Sequence, residues 1–422
     1  MTTTWRKTVT EIDKPALQSN VSCDVAIVGG GITGITTAYL LTKAGKKVVL
    51  IEKDDIRGDA TAHTTAFLTH VIDTDLQDLI KIFGKENAHN VWQSHKEAID
   101  QIEKIIQEEK IDCEFTRCPG YIFSVTEKDD KDLITDIELA NELGFKLTHF
   151  KDEKLPFKNE GYALVPNQAK FHPLKYLFAL QEIAEKHGAQ FFEQSCAEEV
   201  TQQDDKTVIV KTTQGSISAT HVVIATYDPF NHPKELFAHK GPYVSYILDI
   251  EFPKGVLVEG LYEDTNNPYN YFRIDPQETF DRMILGGADH RKEVTMDPEK
   301  NFNALRDYFK TIFPQIEYKE ANKWYGPILE PTDGLAYIGR FNEKKPNQLV
   351  AMGFSGTGMT YSMISACMFR DMIEGKKNAW EELYDPRRIP TFKQLWQKGV
   401  DYVGEFFGGA AKNIFKSKKV NE

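Results

Sequence analysis

Two short apolar runs, DVAIV (24–28) and KKVVLIE (46–52), are the right length for buried strands. Between them ITGITTAYLLTKAG reads as a helix that Gly45 stops. Strand, helix and strand in so few residues make one βαβ unit, which requires a parallel sheet. From 85 to 107, Ala88, Val91, Trp92, Ala98, Ile99, Ile102 and Ile106 recur near helical spacing and predict an amphipathic helix. YIFSV (121–125) predicts a strand, DKDLITDIELANELGF (130–145) a helix, and 174–187 another helix. AQFFEQ, TVIVKTT and HVVIAT are strand-like runs punctuated by Asp-Asp and Gly. From about 240 to 290, strands alternate with Pro, Asn and Asp turns and are rich in Tyr and Phe. The βαβ signals lie near both ends with antiparallel-looking strands between, so a second domain is expected to be inserted into the first.

The turn after the first strand carries chemistry. Gly29, Gly31 and Gly34 form G-x-G-x-x-G: one glycine for the tight turn, one for close backbone approach to a pyrophosphate, one for helix packing on the strand. The helix start then offers free N–H groups and a positive dipole end to phosphate. Glu52 ends the second strand at the distance where a carboxylate accepts ribose hydroxyls, and its charge disfavours a 2′-phosphate, hence NADP. The triplet alone does not separate FAD from NAD. VAMGFSGTGMTYSMISACMF (350–369) helps, because it is another apolar strand, a second glycine turn (Gly353, Gly356, Gly358) and an apolar helix. Its N-terminus suits a flavin pyrimidine carbonyl. SISATHVVIAT (216–226) reads as a strand pair ending in Ala225-Thr226, small enough for close cofactor approach, and WYGPILEPTDGLAYIGR (324–340) as a turn-rich run without helical period.

Charge and cysteine content narrow the classes. The formal charge of −12 and the lack of a basic stripe exclude a nucleic-acid partner. No run of about 18 apolar residues spans a membrane, and MTTTWRKTVTEIDKP is no secretory signal, so the expected location is the cytoplasm. Five scattered cysteines, without C-x-x-C or zinc spacing, read as free thiols and give no metal site. The tail TFKQLWQKGVDYVGEFFGGAAKNIFKSKK has aromatic and aliphatic residues with a basic end; peripheral membrane contact, docking to an electron-acceptor protein and ordinary core docking all fit it.

Taken together, these stretches resemble the D-amino acid oxidase, glycine oxidase and sarcosine oxidase superfamily of FAD-dependent oxidoreductases. DVAIVGGGITG is similar to its N-terminal nucleotide motif, ATHVVIAT to its middle strand, and PTDGLAYIGR with GFSGTGMT to its flavin-contacting segment. GDATAHTTAFLT and WEELYDPRR (380–388) are similar to bacterial members that carry a C-terminal Rieske domain. The C-x-H and C-x-x-H ligand pairs of a Rieske centre are absent from this chain.

The resemblance implies an α/β fold, D-amino acid oxidase-like: a Rossmann-like FAD-binding domain (20–85, 155–235, 325–390), an inserted antiparallel-sheet substrate domain (86–154, 236–324), and a helical tail (391–422). It implies FAD held by Gly29, Gly31, Ile32, Thr33, Gly34, Glu52, Lys53, Thr61, His63, Thr64, Thr65, Val200, Ala225, Thr226, Gly353, Gly356, Thr357, Gly358, Met359 and Thr360. It also implies oxidation of a small-molecule substrate (amine, amino acid or hydroxy acid) by hydride transfer to flavin N5. A dehydrogenase passing electrons to a protein or quinone, and a non-catalytic FAD-binding module, remain alternatives.

Departures from the pattern matter as well. Sarcosine oxidases place a carboxylate-holding Lys where this chain has Thr360, and their early Arg has no clear counterpart, so an amino acid held by that clamp is not supported. Arg273 in NYFRI is the remaining candidate anion partner, with Tyr271 expected on the same strand face. Tyr243, Tyr246, Tyr269 and His290 are further pocket candidates. In related dimethylglycine dehydrogenases a histidine in a segment similar to that of His63 is covalently joined to flavin. The flanking Trp and Gly are missing here, and a hydrogen-bonding role for His63 fits equally.

Overall fold

The computed structural model describes residues 1–388 except 11–12, 58, 152–154, 229, 231–239, 292–296 and 341. The expected tail at 391–422 lies outside the described residues.

The βαβ unit forms as the pattern predicts. Strand Val21–Val28 pairs in parallel with Val48–Ile51, and helix Ile32–Lys43 joins them. These strands belong to an eight-stranded sheet with the order 337–340, 348–352, 216–224, 21–28, 48–51, 190–192; strands 207–212 and 197–204 extend from 216–224. Period-two alternation decides what each face buries. Val25 and Ile27 point into a core shared with helices Ile32–Lys43, Pro173–Lys186 and Gly358–Ile373, whereas Ala26 and Val28 join Val200, Val208 and Val210 of the hairpin covering the other face. SISATHVVIAT is not a strand pair. It contains one unbroken strand, Ser216–Ile224, because it pairs along its length with 21–28 and has no turn residue inside it.

A nine-stranded sheet faces the first. Its order is 319–331, 240–253, 280–291, 271–276, 261–264, 116–124, 161–170, 67–68, with 148–150 added beside 161–170. All its pairs are antiparallel except 261–264 with 116–124. Tyr246, Leu248, Ile250, Phe272, Ile274 and Leu285 pack on Phe302, Leu305 and Phe309 of helix Pro298–Ile312. The alternate residues Ser245, Ile247 and Tyr271 therefore face the other way, into a cavity.

Sheet membership shifts the expected domain limits. Strands 67–68 and 161–170 and the run 325–331 fall in sequence placed with the nucleotide domain, yet they belong to the nine-stranded sheet. Helix Lys85–Glu109 was assigned to the substrate domain, yet it packs on helix Gly358–Ile373 in the core of the nucleotide half. Its apolar stripe is what buries it there, since Val91, Ile99 and Ile102 are fully enclosed.

Candidate functional site

A cavity of about 900 Å³ runs between the two sheets, from Glu52 at one end to Tyr269 and Glu263 at the other. Its floor is the first glycine turn. Gly29 has φ +114°, and a Cβ there would stand 2.4 Å from the Ala225 carbonyl oxygen. A Cβ on Gly34 would stand 1.9 Å from the Gly29 carbonyl oxygen, so glycine is what lets the helix close on the strand. The Gly30 N–H donates to Glu52 Oε2 (2.7 Å) and the Asp54 N–H to Oε1 (3.1 Å). Those two bonds hold the carboxylate at the cavity edge with lone pairs left for a ribose. Helix Ile32–Lys43 begins at Gly31 with no side-chain bond from that cap; the Ile32 N–H donates to Thr61 Oγ1 (3.0 Å). Lys53 and Arg57 line the same end, and Arg6 lies within electrostatic reach of Arg57.

The second glycine turn meets the first. Helix Gly358–Ile373 starts with no side chain capping it, and Gly353 (φ +73°) and Ser355 (φ +47°) turn the chain into it. Ser362 and Thr33 share a hydrogen bond of 2.8 Å that joins the two helices near their starts. Both positive helix ends thus open on one cavity, an arrangement suited to a ligand with a diphosphate at one helix and an electron-accepting carbonyl at the other. The exit sequence fastens this half: the Arg388 guanidinium pairs with Asp333 (2.7 Å) and lies over the Tyr337 ring (3.8 Å).

The opposite wall comes from the nine-stranded sheet. Glu263 and Tyr271 are direct cross-strand partners, and both line the cavity with Tyr243, Ser245 and Tyr269. Gly286 makes room for Tyr271, because a Cβ there would lie 2.4 Å from its Cζ. The Tyr271 hydroxyl and Ser245 Oγ are 3.0 Å apart, and Phe67 packs edge-on at 5.7 Å. Burial pushes the Tyr269 and Tyr271 phenols far up, so both are neutral hydrogen-bonding groups at any working pH. Asp73 accepts from the Gly356 N–H (2.6 Å) and ties the second glycine turn to this wall.

The structure gathers Gly29, Gly31, Ile32, Thr33, Glu52, Lys53, Thr61, His63, Thr64, Thr65, Ala225, Thr226, Gly353, Gly356, Thr357, Gly358, Met359 and Tyr271 around the cavity. Gly34 sits beneath it. His63 is packed against Gly326, where a Cβ would stand 2.8 Å from the His63 Cβ, and its carbonyl accepts from Trp324 Nε1.

Five expected residues lie elsewhere. Val200 is buried among Ala26, Val208 and Val210 and does not line the cavity. Thr360 points into the helix interface, where its hydroxyl and His95 Nδ1 are 2.7 Å apart. Arg273 is 2% exposed and engaged away from the cavity: Nε donates to Asp275 Oδ2 (2.9 Å), Nη1 donates to the carbonyls of Thr65, Ala66 and Phe171, and the guanidinium lies over Trp5 at 5.0 Å. It does not line the cavity, unlike its strand neighbour Tyr271. Tyr246 and His290 bond to each other (3.0 Å), and neither lines the cavity. Asp73, Glu263 and Ser362 gave no signal in the sequence, since isolated acids and serines carry no spacing that would single them out.

The DAO family, described as FAD dependent oxidoreductase, matches residues 24–372. A protein of Bacillus subtilis (strain 168), "Putative Rieske 2Fe-2S iron-sulfur protein YhfW", is 32% identical over 98% of this chain and 80% of its own length. Gamma-glutamylputrescine oxidoreductase of Escherichia coli (strain K12) is 24% identical over 90% of this chain and 88% of that protein. Among solved structures, glycine oxidase from Geobacillus kaustophilus superposes with a TM-score of 0.71 at 19% identity, covering 87% of this chain and 100% of that one.

Proposed function

The chain belongs to the FAD dependent oxidoreductase family, and from that premise we propose that it oxidises a small amine, amino acid or hydroxy acid held between the flavin and the tyrosine wall. One observation carries the reading: both glycine-turn helix starts and the wall of Tyr243, Tyr269 and Tyr271 border the same cavity. The donor set fits FAD. The Gly29–Gly34 cradle and the start of helix Ile32–Lys43 suit a pyrophosphate, Glu52 suits a ribose, and the start of helix Gly358–Ile373 suits negative charge on a flavin ring. When bound, FAD supplies a two-electron acceptor for a C–H bond. The chain's own residues do the rest. Thr64, Phe67 and the tyrosines enclose the donor and exclude water, and the second helix dipole favours the reduced, more negative cofactor.

The test is an anaerobic donor panel added to the purified holoprotein, read as loss of flavin absorbance. Bleaching by a small amine, amino acid or hydroxy acid supports the reading; a flavin that dithionite reduces and no donor does would make the chain a binding module instead. The name of the Bacillus relative supports a second reading, in which electrons leave for an iron–sulfur acceptor. Oxygen consumption compared with dye reduction at equal donor concentration separates the two. Among the described residues no helix is long and apolar enough to cross a membrane.

A further inference from the structure

We propose that the far end of the cavity is a cation subsite built on Glu263, so that the donor is an organic amine bearing positive charge and no carboxylate. This deepens the oxidoreductase reading and rests on it.

Glu263 stands on strand Leu261–Asp264, opposite Tyr271 and on the cavity face. Among the described residues its carboxyl has neither a hydrogen bond nor an ion pair. Its neighbour Asp264 shows the contrast, accepting from the Asn266 and Asn270 N–H groups and from both their side-chain amides. A carboxyl removed from water without a partner is costly, and such groups are normally paired. The exposure Glu263 retains is toward the cavity it lines. Burial, with Asp73, Asp75 and Asp264 nearby, pushes its pKa up to about 8. Asp73 and Glu263 also both bear on the Tyr269 phenol, as does Asp289, so the negative groups converge on one corner.

Among the described residues no lysine or arginine lines that corner. Among the described residues the lysines and arginines lining the cavity are Arg6, Lys53 and Arg57, which belong to the Glu52 end. Arg273 is bound to Asp275 and backbone carbonyls. A carboxylate donor placed against Tyr269 would meet Asp73 and Glu263 with no counter-charge. An ammonium group would supply the missing partner and convert an unpaired, half-buried acid into a charge-assisted hydrogen bond. Tyr243, Tyr269 and Tyr271 suit the same guest, because their ring faces attract cations.

The experiment titrates the holoenzyme and its Glu263→Gln and Glu263→Asp variants with n-butylamine, 1,4-diaminobutane, glycine, D- and L-alanine and L-lactate. Anaerobic flavin bleaching and equilibrium binding by calorimetry are both read. The expected result is bleaching and binding by the amines in preference to the acids. Amine affinity should be about tenfold weaker or worse in Glu263→Gln, the difference between a charged and a neutral hydrogen bond. It should be retained in Glu263→Asp, and FAD content should stay unchanged in both. Preference for glycine, alanine or lactate, or equal amine binding by Glu263→Gln and wild type, would overturn the cation subsite while leaving the oxidoreductase reading intact. Amine binding that depends on Glu263 without bleaching by any donor would do the reverse.

Discussion

Gly34→Ala tests the cradle most severely. A methyl carbon at that position would stand 1.9 Å from the Gly29 carbonyl oxygen, 3.2 Å from its carbonyl carbon and 3.4 Å from Ile27 Cγ2. The first of these is backbone, so no side chain can swing away. Helix Ile32–Lys43 must instead move off the strand by more than an ångström, and the N–H groups at its start move with it. Overpacking of this kind costs about 1–3 kcal/mol. If that cost falls on the bound state, the FAD Kd rises roughly 5- to 150-fold. Gly45→Ala is the control. Gly45 also has positive φ (+79°), but nothing lies within 4 Å of a Cβ there, so the variant carries about 1 kcal/mol of backbone strain and no clash. Flavin titration of both apoproteins should show weakened FAD binding in Gly34→Ala alone. Wild-type FAD affinity in Gly34→Ala, or equal losses in the two variants, would refute the argument that close helix–strand approach forms the phosphate site.

Other consequences follow from residues that the structure moved out of the site. Thr360→Val should leave FAD content unchanged while lowering stability by about 1–3 kcal/mol, because His95 Nδ1, buried, loses its hydroxyl partner; urea unfolding beside flavin content checks both halves. Arg273→Met should cost about 1–3 kcal/mol, because the buried carbonyls of Thr65, Ala66 and Phe171 lose their donor while Asp275 keeps Lys170 as its partner, seen as lost soluble yield or lowered Tm, and should leave the KM of any folded enzyme within about twofold. The pH dependence has two opposite limbs. His95 is held neutral, its pKa pushed down to about 3 by burial, so its contribution is present above the unfolded value near 6.5 and is lost as pH falls toward 3. Glu263 binds its proton more tightly when folded, so its contribution is present at low pH and is lost as pH rises from about 4.5 to about 8. Glu263→Gln should therefore match wild type in Tm at pH 4.5 and exceed it at pH 8.5; equal Tm differences at the two pH values would contradict the shift.

Much of the nucleotide half was legible because its signals are local. DVAIVGGGITG puts strand, turn and helix into one window, and the period-two and helical patterns around it follow from burial on both faces of a parallel sheet. The second glycine turn, Gly353 to Gly358, was legible for the same reason. Contacts made by distant segments were not. Asp73 reaches the Gly356 N–H across 283 positions, and Glu263 meets Tyr271 only through the register of two short strands. Within LYEDTNNPYN the two acids look alike, yet one closes a turn and the other faces a cavity. Arg273 drew attention because a strand position gives the side a residue faces and not which acceptors already hold its Nε and Nη1. Val200 shows the same limit: the hairpin could be anticipated, but not that this side chain packs into the apolar cluster with Ala26, Val208 and Val210. The domain limits slipped where strand 161–170 leaves the nucleotide half for the other sheet, a crossing that alternation alone does not mark.

The central claim is that this cavity holds FAD and lets a small donor reduce it. Its most direct test is the visible spectrum of the purified protein, before and after anaerobic addition of the donor panel, with the flavin then released by acid and identified by mass. The account predicts a yellow protein with about one FAD per chain, bleached by at least one donor. Colour retained in the acid pellet would point to a covalent bond, put His63 first for substitution and leave the account standing. A colourless protein that does not take up FAD on reconstitution would contradict it.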